Sequence, residues 1–102
     1  MDSSVKLLMS WDIVNGKEKK CLAFITREFP LEMQKSGFEL TDAWYTAYGD
    51  WPQVRMGFLS SDYESLESFL NSNTWRDLKK ELMRFCEEYR EKVVPSRGGF
   101  QI

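Results

Sequence analysis

Histidine is absent from the 102 residues, and that absence removes more chemistry than any other feature of the chain. Ser-His-Asp and Cys-His hydrolases, histidine-ligated zinc and haem held by a proximal imidazole all need a side chain this sequence cannot supply by itself. Cysteine is scarce as well. Cys21 and Cys86 form no CxxC pair, so a zinc site is not expected, and each falls in an apolar pattern where it serves as a small hydrophobe. A disulfide between them is not expected in a cytosolic chain. No apolar run approaches the roughly 18 residues of a membrane span, and the start, MDSSVKLLMSW, lacks the charged-then-apolar order of a leader. The expectation is a cytoplasmic protein without a membrane partner. A basic excess is also missing: 14 Lys and Arg against 16 Asp and Glu leave a net charge of -2, which argues against a nucleic-acid partner. Gly98-Gly99 is too short and too late for a phosphate loop. No metal or cofactor is expected.

What is present is a core. Hydrophobic residues make up 42% of the chain and aromatics 15%, enough for one domain, residues 1–102, that buries roughly two-thirds of its unfolded surface. Val5, Leu7, Met9, Trp11 and Ile13 alternate with Lys6, Ser10 and Asp12, which is strand spacing. Leu8 breaks the alternation and predicts that both faces of this strand are covered. Asn15-Gly16 gives a turn. Leu22, Ile25, Phe29 and Met33 then repeat at helical spacing across Pro30, which predicts a kinked helix, with two short helices as the alternative. Gly37 suits the position just past its end.

A second strand is predicted from about Phe38 to Tyr48, and Gly49 to Gln53 turns the chain into a third strand, Val54 to Leu59. With those residues as the hairpin loop, Tyr48 faces Val54, Thr46 faces Met56 and Trp44 faces Phe58, while Tyr45 lies across Gly57. A slip of one residue would exchange the faces. Ser61 and Glu64 form a capping box before Leu66, Phe69 and Leu70; Asn71-Ser72-Asn73 interrupts, and Thr74 caps a second helix. Trp75, Leu78, Leu82, Phe85 and Tyr89 form one seam, with Lys79, Lys80, Arg84, Glu87, Glu88 and Glu91 outside it. The tail is compatible with a short last strand at Phe100 to Ile102.

The predicted order is strand, helix, strand, strand, helix, strand: an α+β, ferredoxin-like split βαβ with a four-stranded antiparallel sheet and helices on one face. The hairpin AWYTAYGDWPQVRMGF and the segment SDYESLESFLNSNTWRDLKKEL carry a resemblance to the dimeric α/β-barrel superfamily, closest to small uncharacterised members ending in a similar GGFQ tail. The resemblance implies two four-stranded sheets from two subunits packed face to face. It also implies a range of small-ligand enzymes and binders, cofactor-free monooxygenases and haem-degrading enzymes among them. The haem-degrading relatives use a histidine this chain lacks.

Trp11, Trp44, Tyr48 and Trp75 are the candidate lining of a pocket between sheet and helices for a small apolar or aromatic compound; core packing is the alternative for all four. Asp12 is a candidate base, on the strand face opposite Trp11, or else a strand-end polar group or partner for Arg55. Tyr45 is a candidate acid or a packing residue, and Trp51 a turn anchor or dimer contact. A homodimer is expected because a sheet face carrying Leu8, Ala43, Tyr45, Ala47 and Leu59 is too apolar to leave wet. The functional expectations are thus a homodimeric binder or enzyme for a small apolar compound, or a domain whose work is association itself.

Overall fold

In the computed structural model, residues 3–46 and 52–96 are described. The elements run β1 (Val5–Ile13), α1 (Glu18–Ala23), a π-helical turn (Phe24–Glu28), α2 (Phe29–Lys35), β2 (Glu39–Tyr45), β3 (Val54–Ser60), α3 (Tyr63–Leu70), α4 (Asn73–Met83) and β4 (Cys86–Pro95). All strand pairs are antiparallel, in the order β2-β3-β1-β4. This is the ferredoxin-like split βαβ that the sequence predicts.

The expected barrel is not formed. β2 and β4 remain free edges of an open sheet, because four strands are far short of the eight or so a small closed barrel needs. One face of that sheet carries the core. Leu7, Met9, Trp11 and Ile13 of β1 and Val54, Met56 and Phe58 of β3 are buried on it, beneath Phe29 and Met33 of α2, Leu66 of α3, and Trp75 and Leu82 of α4. Phe29 is the hub: its ring lies edge-on to Phe58 with centroids 5.6 Å apart, 5.7 Å from Phe24 and 6.3 Å from Trp75.

The first helical run passes Pro30 without ending. The π-turn lies immediately before it, and the wider turn makes room where the proline ring would crowd the carbonyl four residues back. Gly37, at φ +97, closes the run. The Phe38 amide donates to the Met33 carbonyl at 2.9 Å and the Gly37 amide to that of Gln34 at 3.0 Å, the Schellman pairing. The later helices begin one or two residues away from the expected caps. Asp62, not Ser61, accepts from the Ser65 amide at 2.7 Å, and Ser72, not Thr74, accepts from the Trp75 amide at 3.2 Å.

Two larger corrections concern the strands. Helix α4 stops at Met83, and Tyr89 belongs to β4, which spans Cys86–Pro95. Phe85 and Tyr89 happen to continue a helical apolar period, but Val93 and Val94 are β-branched and Pro95 forbids a helix, so an edge strand is the better fit. The expected strand at Phe100 to Ile102 lies outside the described residues. In the hairpin, Trp44 faces Arg55 and Tyr45 faces Val54, three residues from the expected pairing of Trp44 with Phe58 (58 − 55). An odd slip exchanges the faces. A bulge between Leu40 and Asp42 restores the apolar side lower down, where Leu40 faces Phe58.

The uncovered face of the sheet is therefore largely polar, not apolar as expected. Leu8, Trp44, Leu59 and Val94 stand on it, but so do Lys6, Ser10, Asp42, Arg55, Arg90 and Lys92. Asp42 reaches across Gly57 to place Oδ2 3.1 Å from Lys6 Nζ, and both side chains are about four-fifths buried, at 18% and 19% exposure. Glycine is required at that crossing. A Cβ there would meet Asp42 Oδ2 at 2.6 Å and Leu8 Cδ2 at 3.1 Å. Gly57→Ala is expected to destabilise by about 1 kcal/mol, the overpacking penalty less the entropy that alanine saves. Adding Asp42→Ala should relieve part of the loss in the double variant, read from urea midpoints.

Candidate functional site

Register builds a row across the uncovered face. Trp44 of β2 stands opposite Arg55 of β3, Arg55 opposite Ser10 of β1, and Ser10 opposite Arg90 of β4. The next row runs Asp42, Gly57, Leu8, Lys92. Two strand spacings separate Arg55 from Arg90, about 9.5 Å between backbones, with the Ser10 hydroxyl between them. A concavity of about 660 Å³ opens over these rows, with Leu8 and Ser10 at its floor and Asp12, Arg55, Arg90 and Lys92 around it. Its size is that of a small-molecule site.

The polar groups around it are incompletely satisfied. Arg55, Arg90 and Lys92 make no hydrogen bond or ion pair among the described residues, nor does the Ser10 hydroxyl. Asp12 is engaged on one oxygen: Oδ1 accepts from the Gln53 amide at 3.1 Å, while Gln53 Oε1 accepts from the Ile13 amide at 2.7 Å. This reciprocal clamp ends the β1–β3 ladder and gives Asp12 the strand-end role; it forms no ion pair with Arg55. Glu88 joins the wall through a bulge. The β1–β4 register shifts between Ser10 and Asp12, and Glu88 takes φ +55, a left-handed conformation that is strained for a side-chain-bearing residue. The bulge also turns Tyr89 to the helix side, where its ring lies 6.1 Å from that of Trp11 and under Lys79 Nζ at 5.2 Å.

The four sequence-predicted aromatics do not converge. Trp11 and Trp75 are buried in the core beneath the helices, at 0% and 4% exposure, whereas Trp44 is 62% exposed on the other side of the sheet. Tyr48, like Trp51, lies outside the described residues. Tyr45 is exposed at the β2 edge. Sequence reasoning missed Ser10, Arg55, Arg90 and Lys92 as site residues. Arg90 and Lys92 were hidden by extending the helix through Tyr89, and the β-branched pair Val93-Val94 was the signal that could have corrected it.

A second cluster lies on the helix side. The Trp11 indole Nε1 is buried without a hydrogen-bond partner of normal geometry; the Cys21 sulfur beside it is a weak acceptor. Burial pushes the Cys21 thiol up, and the indole N–H only tempers that. Burial, and then the nearby Cys21, push the Cys86 thiol from an ordinary 9.0 to about 12. Tyr89 is raised too, first by burial, then by the charge of Glu91 and its hydrogen bond to Glu91 Oε1 at 2.9 Å. All three groups hold their protons more tightly folded than unfolded. Stability is therefore expected to be full below about pH 9 and to fall as pH rises from 9 toward 12. Urea midpoints at pH 8 and pH 11 test this; equal midpoints would contradict it.

No protein-family model matches the sequence, and no curated protein matches it. Solved structures do resemble it. A hydroxynitrile lyase from Passiflora edulis superposes with a TM-score of 0.77 at 13% identity, covering 99% of this chain and 100% of that one. A NIPSNAP-like domain protein from Burkholderia xenovorans gives 0.71 at 15% identity, covering 100% and 93%. A Bacteroides thetaiotaomicron protein of unknown function, whose name adds "Possible Oxidoreductase", gives 0.70 at 12%, covering 93% and 99%. No helix among the described residues is long and apolar enough to cross a membrane. The resemblance drawn from the sequence holds at the level of fold: this chain has a ferredoxin-like fold similar to that of small NIPSNAP-type proteins.

Proposed function

We propose that this protein binds a small organic molecule in the concavity on the uncovered sheet face. One observation carries the reading: Arg55, Ser10, Arg90 and Lys92, whose polar groups have no partner among the described residues, line a hollow of about 660 Å³ together with Leu8. Such a mix of apolar floor and a few convergent polar groups is what a ligand site requires. The core between sheet and helices is a weaker candidate, because Trp11 and Trp75 are themselves buried there against neighbouring rings. Trp44 is the sequence-predicted residue nearest this reading, as the cross-strand neighbour of Arg55; it does not itself line the hollow. The activities in the relatives' names do not pass to this chain, since one fold hosts many reactions. The free thiols of Cys21 and Cys86 support a cytoplasmic location.

A thermal-shift panel of small aromatic acids, amides and alcohols tests the reading. Some members should raise the melting temperature with concentration, and Ser10→Tyr, which fills the floor, should abolish the rise while itself melting near the parent. A rise that survives in Ser10→Tyr would move the ligand elsewhere.

A second reading, association as a homodimer, is favoured by β2. Leu40, Trp44 and Tyr45, three of the five large exposed apolar side chains among the described residues, belong to this edge strand. An unpaired edge with apolar side chains is a ready partner for a second copy. Sedimentation at micromolar concentration should find a two-chain species that Trp44→Ser/Tyr45→Ser disperses; a monomer throughout would refute it.

A further inference from the structure

We infer that the ligand class of the concavity is a small organic oxyanion, a carboxylate or phosphate on a compact body, gripped between Arg55 and Arg90; this rests on the proposed binding function and specifies its chemistry. Both arginines flank Ser10 on neighbouring strands and on the same sheet face, and both line the hollow. Arginine presents paired donors that match a carboxylate or phosphate edge, and neither fork has an acceptor among the described residues. The Ser10 hydroxyl adds a donor at the floor, and Lys92 stands in the adjacent row. Arg55, Arg90 and Lys92 put like charges around one hollow, and a bound anion would reduce their mutual repulsion.

The acids nearby do not cancel this. Asp12 is tied on Oδ1 to the Gln53 amide. Glu91 lines the hollow but its carboxylate is drawn to the helix side, with Oε1 3.1 Å from Lys79 Nζ and accepting from the Tyr89 hydroxyl. Asp42 is paired with Lys6. Glu88 is the remaining acid in the wall, on the β4 bulge one residue before Tyr89. Three cations thus stand against Asp12 and Glu88, and the excess is positive although the whole chain is acidic.

Calorimetric titrations with benzoate, phenyl phosphate and benzamide, matched in shape and differing in charge, decide the matter. At least one anion should bind at least about tenfold more tightly than benzamide, the difference expected from charge-assisted hydrogen bonds, and should weaken with added salt. Whichever of benzoate and phenyl phosphate binds more tightly assigns the subclass. Arg55→Gln/Arg90→Gln should reduce the preference to near unity, while Arg55→Lys, which keeps the charge but loses the fork, should give an intermediate value. Melting temperatures of the variants near that of the parent establish that they fold. Benzamide binding as well as the anions, or an anion preference unchanged in the double variant, would overturn the inference and leave small-molecule binding standing. No binding by any of the three probes, together with a flat thermal-shift panel, would overturn the binding function itself.

Discussion

Trp11→Ala is expected to cost about 3–5 kcal/mol of stability, and Trp44→Ala less than about 0.5 kcal/mol. Both are tryptophans on strands of one sheet, in the same set of sequence-predicted pocket residues. They differ in the face they occupy. Trp11 is wholly buried, packs against Tyr89, and sits in the second half of β1, the strand between β3 and β4. Its removal leaves a cavity that the surrounding strands and helices fill only in part. The loss of the unpartnered Nε1 donor offsets a minor fraction. Trp44 is 62% exposed on the uncovered face, so its truncation uncovers little. Urea unfolding of both variants, with equal m-values to confirm a common denatured state, makes the comparison. Similar losses from the two variants would mean that β2 pairs in the register the sequence suggests, with Trp44 turned inward.

Phe29→Ala is expected to lose about 3–5 kcal/mol as well, a large share of the total for a domain this size. The case rests on position. Phe29 follows the π-turn directly and is fully buried. Its ring touches Phe24 of the π-turn, Phe58 of β3 and Trp75 of α4, joining the sheet to both helical segments. Phe29→Leu, which keeps most of the volume but not the ring edges, should lose less than half as much. Leu31→Ala, two residues on and 50% exposed, is the control and should change little. Thermal unfolding followed by near-ultraviolet circular dichroism, which senses the ring cluster, would show the difference. A mild Phe29→Ala would mean that Phe24, Phe58 and Trp75 close over the gap.

The layers and topology were legible in the sequence because they depend on period alone. The alternation of Leu7, Met9, Trp11 and Ile13 fixes the buried face of β1, and Leu66 and Phe69 fix that of α3. Register was not legible, since Trp44 and Tyr45 are both aromatic and either can be read as the inward residue. The bulge at Thr41, which decides between them, leaves no mark on the apolar pattern. The end of α4 failed for a related reason: Phe85 and Tyr89 extend a helical period by coincidence while facing the core from a turn and from a strand. The site was lost with these two errors. Arg55 and Arg90 come to flank Ser10 only through the observed pairing of three strands, and no spacing along the chain brings them together. The aromatic content pointed inward, to a core it does build. The partnerless polar groups lie on the other face.

Amide chemical-shift mapping during titration with benzoate and phenyl phosphate bears most directly on where a ligand sits. Saturable shifts centred on Ser10, Arg55, Arg90 and Lys92, with the Trp44 indole moving as the cross-strand neighbour of Arg55, are expected. Shifts centred on the Trp11 and Trp75 indoles and on Phe29, with Ser10 and Arg90 unmoved, would contradict a site on the uncovered sheet face.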